Sequence, residues 1–95
     1  MKVTWSARAL RELRAQREYI AHTQPAAAAR IAERIITTTD RLAIHPDYGH
    51  PASWDATGRL RELVVAGTPF AILYTIGAES IIIVRVLHGA KRRGL

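Results

Sequence analysis

The segment Arg59–His88, RLRELVVAGTPFAILYTIGAESIIIVRVLH, decides the fold. It divides into three β-prone runs, Arg59–Val65, Phe70–Ile76 and Ser80–His88, rich in β-branched and aromatic residues. Between them stand Ala66-Gly67-Thr68-Pro69 and Gly77-Ala78-Glu79, short and turn-prone enough for hairpins. In the third run, strict alternation puts Ile81, Ile83 and Leu87 on one face and Ile82, Val84 and Val86 on the other. In the second, Phe70, Ile72, Tyr74 and Ile76 oppose Ala71 and Leu73. Both runs are apolar on both faces, as strands buried between layers are.

Upstream, the period changes from two to between three and four. Lys2–Trp5 is short and β-prone, and Ser6 is a suitable N-cap for a helix. Ala9, Leu10, Leu13 and Ile20 make an apolar stripe that predicts this helix from Ser6 to about His22. Arg8 with Glu12, and Arg14 with Glu18, stand four apart and predict weak support on its outer face. Thr23 and Gln24 break that helix, and Pro25 suits the first turn of a second. Ala28, Ile31, Ala32, Ile35, Thr38 and Leu42 carry the second stripe to about Ile44. The expectation is an α+β domain: an N-terminal strand, an antiparallel two-helix hairpin, then a mainly antiparallel sheet. Its 95 residues suit one domain, 1–95, without repeats. One helical hairpin covers one sheet face. The other needs the tail, the long loop or a partner chain, and a partner chain is favoured because apolar surface marks interaction sites.

Between helices and sheet, residues 45–58 carry His45, Pro46, Gly49, Pro51 and Gly58, all breakers. A loop this long in so small a domain points to function. Lys and Arg total 14 against 8 Asp and Glu, a formal charge of +6, which favours acidic partners. There are no cysteines, so disulfides, thiolate metal sites and Cys nucleophiles are excluded. That fits a reducing cytoplasm. Met1–Ser6 has no apolar run of signal-peptide type, and no stretch has the length and apolarity to span a bilayer.

No phosphate loop, dinucleotide fingerprint, zinc-protease helix or nucleophile elbow occurs, and no cofactor is expected. His22, His45, His50 and His88 lack metal-ligand spacing, so no metal is expected either. The cations of the sheet half remain. Arg59 and Arg61 are expected to alternate outward. Arg85 interrupts an apolar run and needs a partner; Glu62 is the candidate for a structural ion pair, with a functional role for Arg85 as the alternative. His88, Lys91, Arg92 and Arg93 come next, with no acid after Glu79. They read either as a solvated tail or as a surface for phosphates or carboxylates. RNA cleavage would need a base, an acid and cations. His88 with Arg61 and Arg85 supplies only part of that set, and Tyr74 reads as core.

Several motifs resemble the ParE/RelE superfamily of toxins from bacterial type II toxin–antitoxin systems. They are VTWSARAL at Val3–Leu10, YIA at Tyr19–Ala21, LAIHPDYGHP at Leu42–Pro51, RLRELVVAGTPFAILYTI at Arg59–Ile76 and IIIVRVLHGAKRR at Ile81–Arg93. The ending VLHGAKRR is similar to the ParE branch. The loop 45–58 has no Lys or Arg and no aromatic follows Tyr74, which departs from the ribonuclease branch.

The resemblance implies a cytoplasmic toxin that inhibits DNA gyrase, blocks replication and arrests growth, as in plasmid maintenance, with no chemistry of its own. It further implies target contacts among Arg59, Arg61, Arg85, His88, Lys91, Arg92 and Arg93. A cognate antitoxin would form a hetero-oligomer with it, over Leu10, Leu13, Ile31, Ile35, Ile82, Val84 and Val86. A ribosome-dependent mRNA endoribonuclease, with Arg61, Arg85 and His88 as its site, and a non-toxic binding module of the same fold stay open. So does direct nucleic-acid binding.

Overall fold

The computed structural model describes residues 1–89. Strand β1 (Lys2–Trp5) leads into helix α1 (Ala7–Ala21), with the Ser6 hydroxyl accepting from the Ala9 N–H at 3.0 Å as N-cap. Helix α2 (Pro25–Arg41) begins on its proline and ends three residues short of the expected Ile44. The reason is local: the N–H groups of Leu42, Ala43 and Ile44 bond three residues back, to Thr39, Asp40 and Arg41, which tightens the last turn out of α-geometry. The buried stripe of α2 runs through Ala28, Ala32, Ile35 and Thr39. Thr39 therefore takes the place expected of Thr38, its hydroxyl satisfied by the Ile36 carbonyl at 2.8 Å.

Four further strands complete the sheet: β2 (His50–Pro51), β3 (Arg61–Val64), β4 (Phe70–Ile76) and β5 (Ser80–His88). The sheet order is β1-β5-β4-β3-β2, with β1 parallel to β5 and the other neighbours antiparallel. The β3–β4 hairpin turns through Gly67, whose φ of 77° lies where side-chain-bearing residues are strained. The core sits between the helical hairpin and one sheet face. Ala9, Ile35 and Leu42 meet Val65, Phe70, Ile72, Tyr74, Ile81, Ile83 and Val86, with Trp5 and Leu13 packed against them.

Strict alternation fails in β5. Leu73 pairs with Arg85 but Tyr74 pairs with Ile83, so Val84 is an extra residue, a β-bulge. Beyond it the faces exchange: Val86 joins Ile81 and Ile83 in the core, and Leu87 moves to the second face beside Ala71 and Val64. That second face is less open than expected. Ala71, Leu73 and Leu87 are buried within this chain, and its exposed apolar residues are Val64 and Ile82.

Candidate functional site

Arg85 does not pair with Glu62. Both belong to one cross-strand row, Glu62–Leu73–Arg85, so the whole of β4 stands between them, about 10 Å for two strand spacings. Glu12 of α1 is nearer. Strand β1 pairs with β5 only as far as Ile83, which leaves β5 as a sheet edge just where the bulge begins. The bulge brings two consecutive carbonyls to Ser6: its N–H donates to Ile83 at 2.9 Å and its hydroxyl to Val84 at 3.0 Å. About one and a half turns into the helix, Glu12 completes the edge. Its carboxylate accepts from the Val86 N–H at 3.1 Å and takes Arg85 bidentately, Nη2 at 2.7 Å and Nε at 2.9 Å. The two side chains are only about a fifth exposed. The expected pair with Arg8 does form, at 4.0 Å with Arg8 well exposed, but Glu12 itself faces inward and not outward as expected. The sequence carried a signal for its true role: Glu12 lies three residues after buried Ala9, on the inward side of the helix. The second expected surface pair, Arg14 with Glu18, does not form among the described residues.

Arg61 does not point outward. It pairs with Tyr74 across the β3–β4 ladder and shares the core face with it. Tyr74 is fully buried, and its hydroxyl donates to the Pro46 carbonyl and accepts from the Gly49 N–H, both at 2.8 Å. Arg61 Nη2 donates to the carbonyls of Asp47 and Gly49. The start of the long loop is thus pinned from beneath by one phenol and one guanidinium. Gly49 is required there: a Cβ would stand 2.7 Å from both the Tyr74 hydroxyl and the Glu62 carbonyl. The far end of the loop is held by Asp55. Its carboxylate accepts from the N–H groups of Thr57, Arg59 and Leu60 and from the Thr57 hydroxyl. These bonds, that of Leu60 foremost, lower the Asp55 pKa below its ordinary 3.8.

The remaining site residues are scattered. Arg59 precedes β3 and is exposed. His88 is exposed and stands edge-on to Phe70, with ring centroids 5.5 Å apart. Lys91, Arg92 and Arg93 lie outside the described residues. Of the apolar set, Ile82 is 40% exposed, Leu10 and Val84 are half-buried, and Leu13 and Ile31 pack against the core. Ile35 and Val86 are core residues, at 1% and 2%; the inward turn of α2 and the bulge in β5 remove them from any surface. Among the described residues no three His, Asp or Glu side chains gather as a metal site.

Arg85 is therefore paired with the Glu12 carboxylate, and Arg61 is bonded to the Asp47 and Gly49 carbonyls. Comparison with known proteins agrees with the element order. Residues 3–93 match the family model described as the ParE toxin of the type II toxin–antitoxin system parDE. The chain belongs to the ParE toxin family. Among curated relatives, this ParE-family chain is 42% identical to Toxin RelE2 of Caulobacter vibrioides, over 95% of its own length and 97% of that protein. It is 30% identical to Toxin RelE3 of the same organism, over 90% and 91%. Among solved structures, a chain of the chromosomal ParDE TA system from P. aeruginosa superposes with a TM-score of 0.80 at 20% identity, covering 93% of this chain and 95% of that one. The fold shared with that chain is the one assembled in this protein from a bulged sheet and a helical hairpin.

Proposed function

We propose that this ParE-family toxin arrests growth in the cytoplasm by inhibiting DNA gyrase, as a binding inhibitor without chemistry of its own. The observation that carries the choice of target is the Arg85–Glu12 pair. A ribonuclease must direct cations at the developing charge on phosphorus, and a guanidinium held bidentately by its own carboxylate is already neutralised. Arg61, bonded to loop carbonyls, supports the same reading. A cognate antitoxin neutralises the toxin by laying an arm over the helical hairpin and the free part of the sheet. Exposed Tyr19 and Ile36 on the helices, and Val64 and Ile82 on the sheet, support that surface, and the formal charge of +6 suits an acidic arm.

Purified chain titrated into a gyrase supercoiling reaction tests the target. Loss of supercoiling with accumulation of cleaved plasmid is expected. Undisturbed supercoiling at excess of folded chain would remove gyrase. The ribonuclease reading draws on the names of the two Caulobacter relatives. It predicts codon-positioned cuts in translated messages after induction, and their absence would remove it.

A further inference from the structure

The geometry points to a second surface on the outer side of α2: Arg30, Arg34 and Arg41 form a stripe that binds the phosphodiester backbone of nucleic acid by charge, without reading bases. At 100° per residue the three positions fall within about 40° of one another around the helix and span about 16 Å along it. All three side chains are exposed. They share one open cleft with Glu33, Thr37, Thr38 and the β3–β4 turn at Ala66. The Arg34 guanidinium lies over that turn, its carbon 3.6 Å from where a Cβ on Gly67 would stand, an ordinary contact distance.

The fold gives little reason for these arginines. None makes an ion pair with a described residue, whereas Arg85 and Arg8 both stand against Glu12. Arg30 and Arg34 are like charges at i and i+4, an arrangement that destabilises an isolated helix. Glu33, three residues after Arg30, is the one acid in the cleft and makes no ion pair with these arginines, so it leaves the stripe net positive. Arg41 alone has a helical role, in the last turn.

The lining also selects the class of partner. Protein interfaces anchor on buried aromatic and large aliphatic side chains. This cleft has no aromatic and no large aliphatic side chain in its lining, which is three arginines, two threonines, one alanine and a single carboxylate. Guanidiniums pair bidentately with phosphate oxygens, and a net positive chain steers toward a polyanion. The surface is independent of which target the toxin inhibits.

The test is a binding titration of the purified chain with labelled DNA duplex, RNA duplex and single strand, across a range of salt. The wild type is expected to bind with log affinity falling linearly in log salt. The triple variant R30Q/R34Q/R41Q should lose about tenfold or more at low salt, and its slope should be shallower by about two to three, since each phosphate neutralised contributes about 0.9. The control K2Q/R11Q/R14Q removes the same charge elsewhere and should keep most of the slope. Circular dichroism is the check that both variants fold. Preference among the three nucleic acids identifies the source of the phosphodiester. Equal loss in both variants, no binding to any nucleic acid at the lowest salt, or tighter binding to polyglutamate of equal charge would each overturn the assignment.

Discussion

Removing the Glu12 carboxylate should cost this domain a large part of its stability. In Glu12→Ala the Arg85 guanidinium loses a bidentate partner at 2.7 and 2.9 Å, and the Val86 N–H on the β5 edge loses its acceptor. Breaking a fully buried pair costs about 3–5 kcal/mol, and a fully exposed one about 0–1 kcal/mol. With side chains a fifth exposed, and one backbone donor stranded in addition, the expected loss is about 2–3 kcal/mol. For a domain of this size that lowers Tm by about 10–20 °C. Urea and thermal unfolding of Glu12→Ala, Arg85→Met and the double variant measure it. The cycle should return a coupling of about 1–2 kcal/mol, with Glu12→Ala the costlier single change because it also strands Val86. A Glu12→Ala cost under about 0.5 kcal/mol, the range of an ordinary surface substitution, would refute the claim that Glu12 closes the sheet edge.

Three further outcomes are expected. Tyr74→Phe should cost about 1–2 kcal/mol in urea unfolding, because the Gly49 N–H and Pro46 carbonyl lose a buried partner. Gly49→Ala should cost more than Tyr74→Phe, since its Cβ meets the Glu62 backbone as well as the phenol; equal stability to wild type would contradict the close approach. Asp55 should titrate below 3.8 by NMR. Because its folded pKa is depressed, the stability it contributes is present above the ordinary value and is lost as pH falls through the folded one; Asp55→Ala should abolish that part of the acid dependence.

Much of the fold is legible in the sequence because its local signals agree. Ser6 as N-cap, Pro25 at a helix start and two apolar stripes at helical spacing fix the hairpin, and turn residues divide the three strands. The β5 bulge is not legible. Nothing in IIIVRVLH marks the residue at which alternation slips, and a slip of one exchanges every later side chain between faces. For that reason strict alternation keeps Ile81 and Ile83 together correctly but adds Leu87 to them wrongly. The Arg85 partner is hidden for a related reason. Glu62 is closer in the strand sequence, but sheet order separates it by one strand while the early end of β1 exposes the edge that Glu12 fills. Arg61 reads outward because a cation on a strand ordinarily is. Its carbonyl partners belong to a loop whose path no periodicity describes. The arginine stripe on α2 is present in the sequence as charge. Only the helix phase, and the lack of ion pairs to these arginines among the described residues, separate it from an ordinary solvated face.

One induced culture tests whether this toxin acts on gyrase, as proposed, or on messages. The chain is expressed without antitoxin, and DNA ends and mRNA ends are mapped from the same cells shortly after growth stops. Gyrase-linked double-strand breaks, with intact translated messages, are the predicted result. Codon-positioned mRNA cuts with unbroken chromosomal DNA would contradict it.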